Sequence, residues 1–183
     1  MMQGALVSPW QLPLPGGRSV EYDGGILRIQ LESTDGLPPM PASDAKPLGE
    51  TLGSIEIRDT GTKKGYGAYC MEKLPRHTFL GFYRGKRIVV APTADAAPPR
   101  GDYVLGLDGG VTFLDGYEAA QDRSNFTPAH LNHQDKGEDG CNCLRIAKDE
   151  RVAFFTSREV LAGEELCFDY GSNYWRGRKD EKI

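Results

Sequence analysis

Gly163-Glu164-Glu165-Leu166-Cys167-Phe168-Asp169-Tyr170-Gly171 is the stretch on which the reading of this chain turns. A short strand is predicted over Leu166 to Asp169, and Gly171 closes it. Phe168 and Tyr170, with Tyr174 and Trp175 just beyond, crowd four rings into a few residues. Taken singly, each ring belongs to a C-terminal strand packing into a core. Their order relative to two upstream segments changes that reading.

The first upstream segment is Lys63-Lys64-Gly65-Tyr66-Gly67-Ala68. Two glycines one residue apart allow close backbone approach to a ligand, and an ordinary β-turn explains them equally well. No long helix follows, so a dinucleotide fingerprint is disfavoured. The second is Ala129-His130-Leu131-Asn132-His133. It offers an amide and an imidazole side by side. On its own it reads as a surface loop. Cys141-Asn142-Cys143 follows, and a zinc site with His130 and His133 is conceivable. Zinc takes four tetrahedral ligands, and HxxH followed by CxC is not a familiar spacing for it, so no metal is expected.

The wider chain supports a small β-rich fold. Its 183 residues suffice for one domain with a real core, or a domain plus a tail. There are 23 glycines and 12 prolines, which argues for turns and short strands over a helical bundle. Charged residues make up 26% and hydrophobic ones 39%, the balance of a globular chain. No apolar run approaches the ~18 residues of a membrane span. Met1 to Pro15 has neither the basic flank of a signal peptide nor the Arg/Ser bias of a transit peptide. The net charge of -4 suits a basic partner better than DNA phosphates, and is also ordinary for a soluble protein. Cys70, Cys141, Cys143 and Cys167 form no CxxC pair and are expected as reduced thiols.

Residues 1–50 are expected to form an extension. Ser19 to Tyr22 and Ile26 to Leu31 make a hairpin turning at Asp23-Gly24-Gly25, and a Pro/Gly-rich linker follows from Gly36. Residues 51–183 form the main domain. Strand-like runs occur at Ser54–Arg58, Gly67–Met71, Phe79–Tyr83, Lys86–Val90, Tyr103–Leu107, Val111–Leu114, Leu144–Ala147 and Arg151–Thr156. Ala91 to Gly101 reads as a surface loop, Asp108-Gly109-Gly110 and Lys148-Asp149-Glu150 as hairpin turns, and Gly116 to Arg123 as a short helix.

From about Gly53 to Trp175 the chain resembles a SET domain, the family of S-adenosylmethionine-dependent protein lysine methyltransferases. The pieces occur in the family's order: KKGYGAY (63–69), TFLGFYRGKRI (78–88), DYVLGLDGGVTFLDG (102–116), LNH (131–133) with CNC (141–143), and FFTSREVLAGEELCFDYG (154–171). The GEELxFDYG block after an Asn-His pair is the most specific of them. The resemblance implies several small sheets with few helices and a C-terminal pseudoknot, in which the last segment passes through a loop of preceding chain. YGSNYW further resembles minimal members that lack zinc-binding flanks.

The resemblance also assigns residues. Lys64, Gly65 and Tyr66 lie against the amino-acid part of the cofactor, S-adenosyl-L-methionine, with room made by the glycines. Asn132 bonds its amine or carboxylate. His133 presents its backbone to the adenine, Tyr103 lines the pocket, and Tyr174 covers the purine. Tyr83 and Tyr170 face the target amine. Phe168 holds the product-specificity position, where a ring without a hydroxyl favours di- or trimethyl-lysine. Free lysine has a pKa near 10.4, so the nucleophile must be deprotonated, and an apolar tunnel beside a sulfonium favours that.

Four departures stand out. Ala129 replaces an Arg usual before the Asn-His pair. Gln134 to Gly140 is a polar insertion. Cys141-Asn142 keeps only the Asn of the family's Pro-Asn. Zinc-binding cysteines are missing after Tyr170, so Tyr174, Trp175 and the tail must close the site. The implied partner is a lysine-containing peptide, foremost a histone tail, bound by strand addition. Asp95, Asp102, Asp108, Asp115, Glu118 and Asp122 suit a basic tail, or form a merely solvated face. No direct nucleic-acid or membrane binding is expected, and the location is nuclear or cytoplasmic. The alternatives are a SET-fold binding module with weak catalysis, or an enzyme with a non-histone substrate.

Overall fold

The computed structural model describes residues 10–14, 18–23, 26–30, 36–47, 54–90, 99, 101–107, 111–148, 150–175 and 178. The chain divides into two compact units, residues 1–37 and 38–183. In the first, β1 (Trp10–Leu14), β2 (Arg18–Asp23) and β3 (Ile26–Gln30) form an antiparallel sheet in that order. The expected hairpin is β2–β3, with Val20 opposite Ile29. β1 was hidden in a Pro-containing stretch that reads as irregular. It is an edge strand, where the N–H missing at Pro13 costs least. The turn glycines Gly24 and Gly25 lie outside the described residues, as do most of the Ala91–Gly101 loop, the Asp108-Gly109-Gly110 turn and Asp149.

Among its described residues the second unit holds four small sheets. β4 (Ile55–Asp59) pairs with β5 (Tyr66–Cys70). β7 (Lys86–Val89) and β8 (Val104–Gly106) flank β9 (Thr112–Asp115). The third sheet sets β12 (Arg151–Thr156) between β11 (Cys143–Lys148) and β6 (Phe79–Phe82). The central place of β12 explains its unbroken apolar run, since a strand buried on both faces needs no alternation. Val152, Ala153 and Phe154 are fully buried. Around them pack Leu80, Leu131, Val160, Leu166 and Phe168. Each such side chain contributes about 1.5–3 kcal/mol when fully buried.

The fourth sheet is the smallest. β10 (Asn132–His133) and β13 (Cys167–Phe168) pair in parallel, Asn132 opposite Cys167 and His133 opposite Phe168. On the other edge of β13, Cys141 bridges Cys167, and the Asn142 N–H donates to the Cys167 carbonyl. The last strand therefore runs between two stretches that residues 134–140 connect, which is the threading the resemblance implied. The Asn132-His133 pair, a loop by its bare residues, becomes a strand because its partner lies some 35 positions away and leaves no local trace.

The helices are short. α1 (Tyr117–Gln121) falls inside the predicted segment, and α2 (Ser172–Trp175) follows β13. A 3₁₀ turn at Pro128–His130 leads into β10, with Thr127 as its cap. Thr127 Oγ1 accepts the Ala129 N–H, while His130 Nδ1 accepts the Thr127 N–H. No helix among the described residues is long and apolar enough to cross a membrane.

Candidate active site

The GYG loop, the Asn-His pair and the C-terminal rings meet at one cavity of about 580 Å³. From the β4–β5 turn come Lys64, Gly65 and Tyr66. Tyr103 enters just before β8. Asn132 and His133 come from β10, and Tyr170 and Tyr174 from the C-terminal segment. Tyr83 and Phe168 are buried outside this lining. They are linked to it nonetheless. Tyr83 Oη donates to the Tyr103 carbonyl at 2.6 Å, and the Phe168 ring lies 4.8 Å from that of Tyr170.

Hydrogen bonds tie the cavity walls together. Lys64 Nζ donates to the His133 carbonyl at 3.1 Å, so that carbonyl is already engaged. Asn132 Nδ2 donates to the Tyr66 carbonyl at 3.1 Å and to Glu165 Oε1 at 2.8 Å. Both amide protons are used, and Oδ1 remains the acceptor. His133 Nδ1 accepts the Tyr170 N–H at 3.2 Å, and its Nε2 faces Asp135 Oδ1 at 3.2 Å. The two halves of the site, 37 positions apart in sequence, are thus joined by one imidazole.

The glycines serve different ends. Gly65 has φ +73° in the tight turn, with open space where a Cβ would sit. At Gly67 a Cβ would run into Glu165 Oε1 and come within 2.9 Å of Asn132 Nδ2. The room at Gly67 is therefore filled by the protein's own side chains, a close approach that motif spacing does not reveal.

The phenols converge. The Tyr170 hydroxyl donates to the Leu131 carbonyl at 2.8 Å. Its ring packs edge-on against Tyr174 at 4.7 Å and stacks with Trp175 at 6.3 Å. Burial first, then the neighbouring Tyr174 and Tyr83 hydroxyls, pushes the Tyr170 pKa well above the ordinary phenol range. Burial and then Asp115 do the same to Tyr83. Both phenols stay protonated at neutral pH and serve as donors, not bases. Tyr174 is held in turn by Arg178, whose Nη1 reaches its Oη at 3.1 Å and Asp102 Oδ1 at 2.5 Å.

Glu165 and Arg123 escaped the sequence reading, while Asn142 and His130 stood in it only as a retained Asn and a conceivable zinc ligand. Glu165 is hidden in the GEEL block as one of two acids. Asn142 is 1% exposed and stands in for a strand: its Nδ2 donates to the Glu165 carbonyl at 2.7 Å, and its Oδ1 accepts the Cys167 N–H at 3.0 Å. His130 lines the cavity with its Nε2 buried and without a well-formed hydrogen bond. Burial lowers its pKa, against the opposing carbonyls of Thr127 and Ala120. Arg123 lines the same wall, its guanidinium 3.6 Å over the Tyr66 ring. Only local cues such as Asn beside Cys pointed toward any of these.

Among the described residues one set of three possible metal ligands lies close together, His133, Asp135 and Asp169. His133 Nδ1 already accepts the Tyr170 N–H, so the set is not a free chelate. The four cysteines are free thiols outside it. Burial pushes Cys70 and Cys167 up to about 12, which keeps them as unreactive thiols.

The SET domain family model matches residues 65–171. The chain belongs to the SET-domain family, and the cavity lies within the matched segment except for Lys63, Lys64, Tyr174 and Trp175. Among curated proteins it is similar to the histone-lysine N-methyltransferase MEDEA of Arabidopsis thaliana, 30% identical over 125 residues that make up 64% of this chain and 18% of that protein. It is 32% identical over 125 residues to the histone-lysine N-methyltransferase SUV39H1-A of Danio rerio, covering 62% of this chain and 29% of the other. The match thus spans less than a third of either relative. Among solved structures, KRYPTONITE in complex with mCHH DNA, H3(1-15) peptide and SAH aligns with a TM-score of 0.46 at 22% identity, over 64% of this chain and 23% of that one.

Proposed function

We propose that this chain transfers methyl groups from S-adenosyl-L-methionine to the side-chain amine of lysine in a protein, with a histone tail as the favoured substrate. The observation that carries the reading is the single cavity bounded by the GYG loop, the Asn-His pair and the Tyr170 phenol. Its volume falls within the roughly 300–1,000 Å³ of small-molecule sites. Its donor set also fits such a cofactor: aromatic faces at Tyr174 and Trp175 for a purine, and the Asn132 Oδ1 acceptor for an ammonium. When bound, the cofactor supplies an electrophilic methyl group on a sulfonium.

The chain's own residues do the rest. Lys64, Gly65, Tyr66, Tyr103, Asn132, His133 and Tyr174 hold and enclose the cofactor. Tyr170, kept protonated, uses its one proton on Leu131 and keeps its lone pairs for the N–H groups of an incoming amine. Tyr83 supports this from behind through the Tyr103 carbonyl. Apolar walls disfavour an ammonium and so favour the neutral nucleophile. Most of the acceleration then comes from positioning, for which about 7–11 kcal/mol is the ceiling. Phe168, wedged between Phe154 and Tyr170 at 4.8 Å from each, offers a methylated amine no hydroxyl and leaves it free to rotate. Di- or trimethyl-lysine is the product, and Phe168→Tyr lowers the trimethyl fraction by mass spectrometry.

Residues 51–183 act as the SET domain and 1–50 as an accessory extension, in a nuclear or cytoplasmic protein. The test pairs calorimetry with radiolabelled methyl transfer to a histone mixture, for wild type beside Tyr170→Phe. Wild type binds S-adenosylhomocysteine and labels a histone, whereas the variant keeps binding and loses at least tenfold in labelling. Binding without labelling of any protein mixture would leave a binding module instead. No binding at all sinks the reading.

A further inference from the structure

The wall of the cavity beside the GYG loop carries a cation whose role is unassigned. Arg123 lies just past α1, and its guanidinium carbon sits 3.6 Å over the ring centroid of Tyr66, the middle residue of that motif. Its charge also reaches the Tyr103 hydroxyl and the His130 ring, both of which line the cavity. A guanidinium held over a ring keeps N–H donors to offer a ligand, five of them in all. The acid next to it in sequence, Asp122, is engaged elsewhere: its oxygens accept from the Ser124 N–H, the Ser124 hydroxyl and Asn125 Nδ2. Asp102, the one acid among the described residues that line the cavity, is paired with Arg178.

Two neighbours show which ligand charge belongs here. His130 is 5% exposed and its Nδ1 meets the Thr127 N–H at 3.1 Å and the Thr127 carbonyl at 3.2 Å, so it adds no negative charge to this wall. Asn132 has spent both amide protons and offers only an acceptor. The wall thus presents a cation at Arg123 and an acceptor at Asn132, a pattern complementary to a zwitterionic α-amino acid. Ala129, on the same wall, brings no charge.

We propose that Arg123 is the receptor for the α-carboxylate of the cofactor's amino-acid end, while Asn132 takes the α-ammonium. This rests on the cofactor reading above. It adds that affinity for the amino-acid end is set from the α1 exit and not from the residues just before Asn132.

The experiment is isothermal calorimetry with two probes: S-adenosylhomocysteine, and S-adenosyl-3-thiopropylamine, which is the same molecule without its carboxylate. The proteins are wild type, Arg123→Gln and Arg123→Lys, each with a ligand-free melting curve. A charged hydrogen bond lost is worth about 10- to 100-fold in affinity, so Arg123→Gln weakens S-adenosylhomocysteine by that factor. It shifts the decarboxylated probe less than threefold, and Arg123→Lys recovers part of the loss. Equal weakening for both probes would mean that the contact with Tyr66 matters only for shape, and the proposal falls. Unchanged binding of S-adenosylhomocysteine by Arg123→Gln also overturns it. Wild type that binds neither probe removes the cofactor reading itself, a different result from wild type that binds both equally, which removes only the carboxylate receptor.

Discussion

The β6–β12–β11 sheet and the β10–β13 pair lie side by side and are built on opposite principles. In the first, β12 runs six residues and buries Val152, Ala153 and Phe154 completely. Apolar area holds it, spread over many contacts. In the second, two residues on each strand make the ladder, too few to hold by themselves. Their order comes from polar side chains: Asn142 bonding the backbone of Glu165 and Cys167, Glu165 bonding Asn132, and His133 bonding the Tyr170 N–H. The lesson is that stability resides mostly in one place and the site geometry in the other. A diffuse apolar core degrades gradually, whereas a chain of buried hydrogen bonds fails where a single link is cut.

The largest expected effect strikes the core. Phe154→Ala leaves a cavity under Tyr83 and Phe168 and costs about 3–5 kcal/mol in urea unfolding. At low temperature the folded fraction still binds S-adenosylhomocysteine within a few-fold of wild type. Loss of binding in the folded protein would break the contrast between the two regions.

Asn142→Ala comes next. It strands the half-buried Glu165 carbonyl and the buried Cys167 N–H, at up to about 1–3 kcal/mol each. Unlike Phe154→Ala, it abolishes binding even where circular dichroism reports a folded protein. Retained binding would show that β13 keeps its place without this amide.

Gly67→Ala is milder for stability and sharper for the site. The added methyl displaces Glu165 Oε1 and Asn132 Nδ2, so calorimetry shows at least tenfold weaker binding while the melting temperature moves by only a few degrees. An unchanged affinity would mean that the Asn132 orientation is immaterial.

The smallest effect is one of pH. Burial holds the His130 pKa below its ordinary 6.5, so the unfolded state takes up the proton first. The contribution of His130 to stability is complete above 6.5 and is lost as pH falls through that value toward the lower folded pKa. The melting temperature should decline across this window, with a shallower slope in His130→Gln. Identical slopes would count against a buried, neutral imidazole.

Much of the fold was legible because its strands carry their own signals. Arg151–Thr156 was predicted to the residue, and the β2–β3 hairpin and α1 within one or two. The turn chemistry and the unbroken apolar run of β12 are local. β10 and β1 were not legible, the former because its partner is distant, the latter because Pro13 is tolerated only through its edge position. Of the ten residues read as a site, eight line one cavity, while Tyr83 and Phe168 sit behind it. The Asn132 role had been left open between amine and carboxylate. Only the bonds to Tyr66 and Glu165 leave its oxygen as the acceptor. Of the acidic residues suggested for a basic tail, Asp102 is engaged by Arg178, Asp115 Oδ1 accepts the Tyr117 N–H, and Asp95 and Asp108 lie outside the described residues.

By itself, the sequence determined the family, the mostly β architecture and the identity of the motif residues, because order along the chain and residue type are sufficient for those. The tertiary structure alone decided that Gly67 makes room for Glu165 and Asn132, that Asn142 holds the last strand, and that Arg123 and His130 face the cavity. Each of these is a contact between segments far apart along the chain. Closing such a loop costs conformational entropy that only the assembled core offsets, and which polar atoms are left unpaired becomes defined once the segments have met.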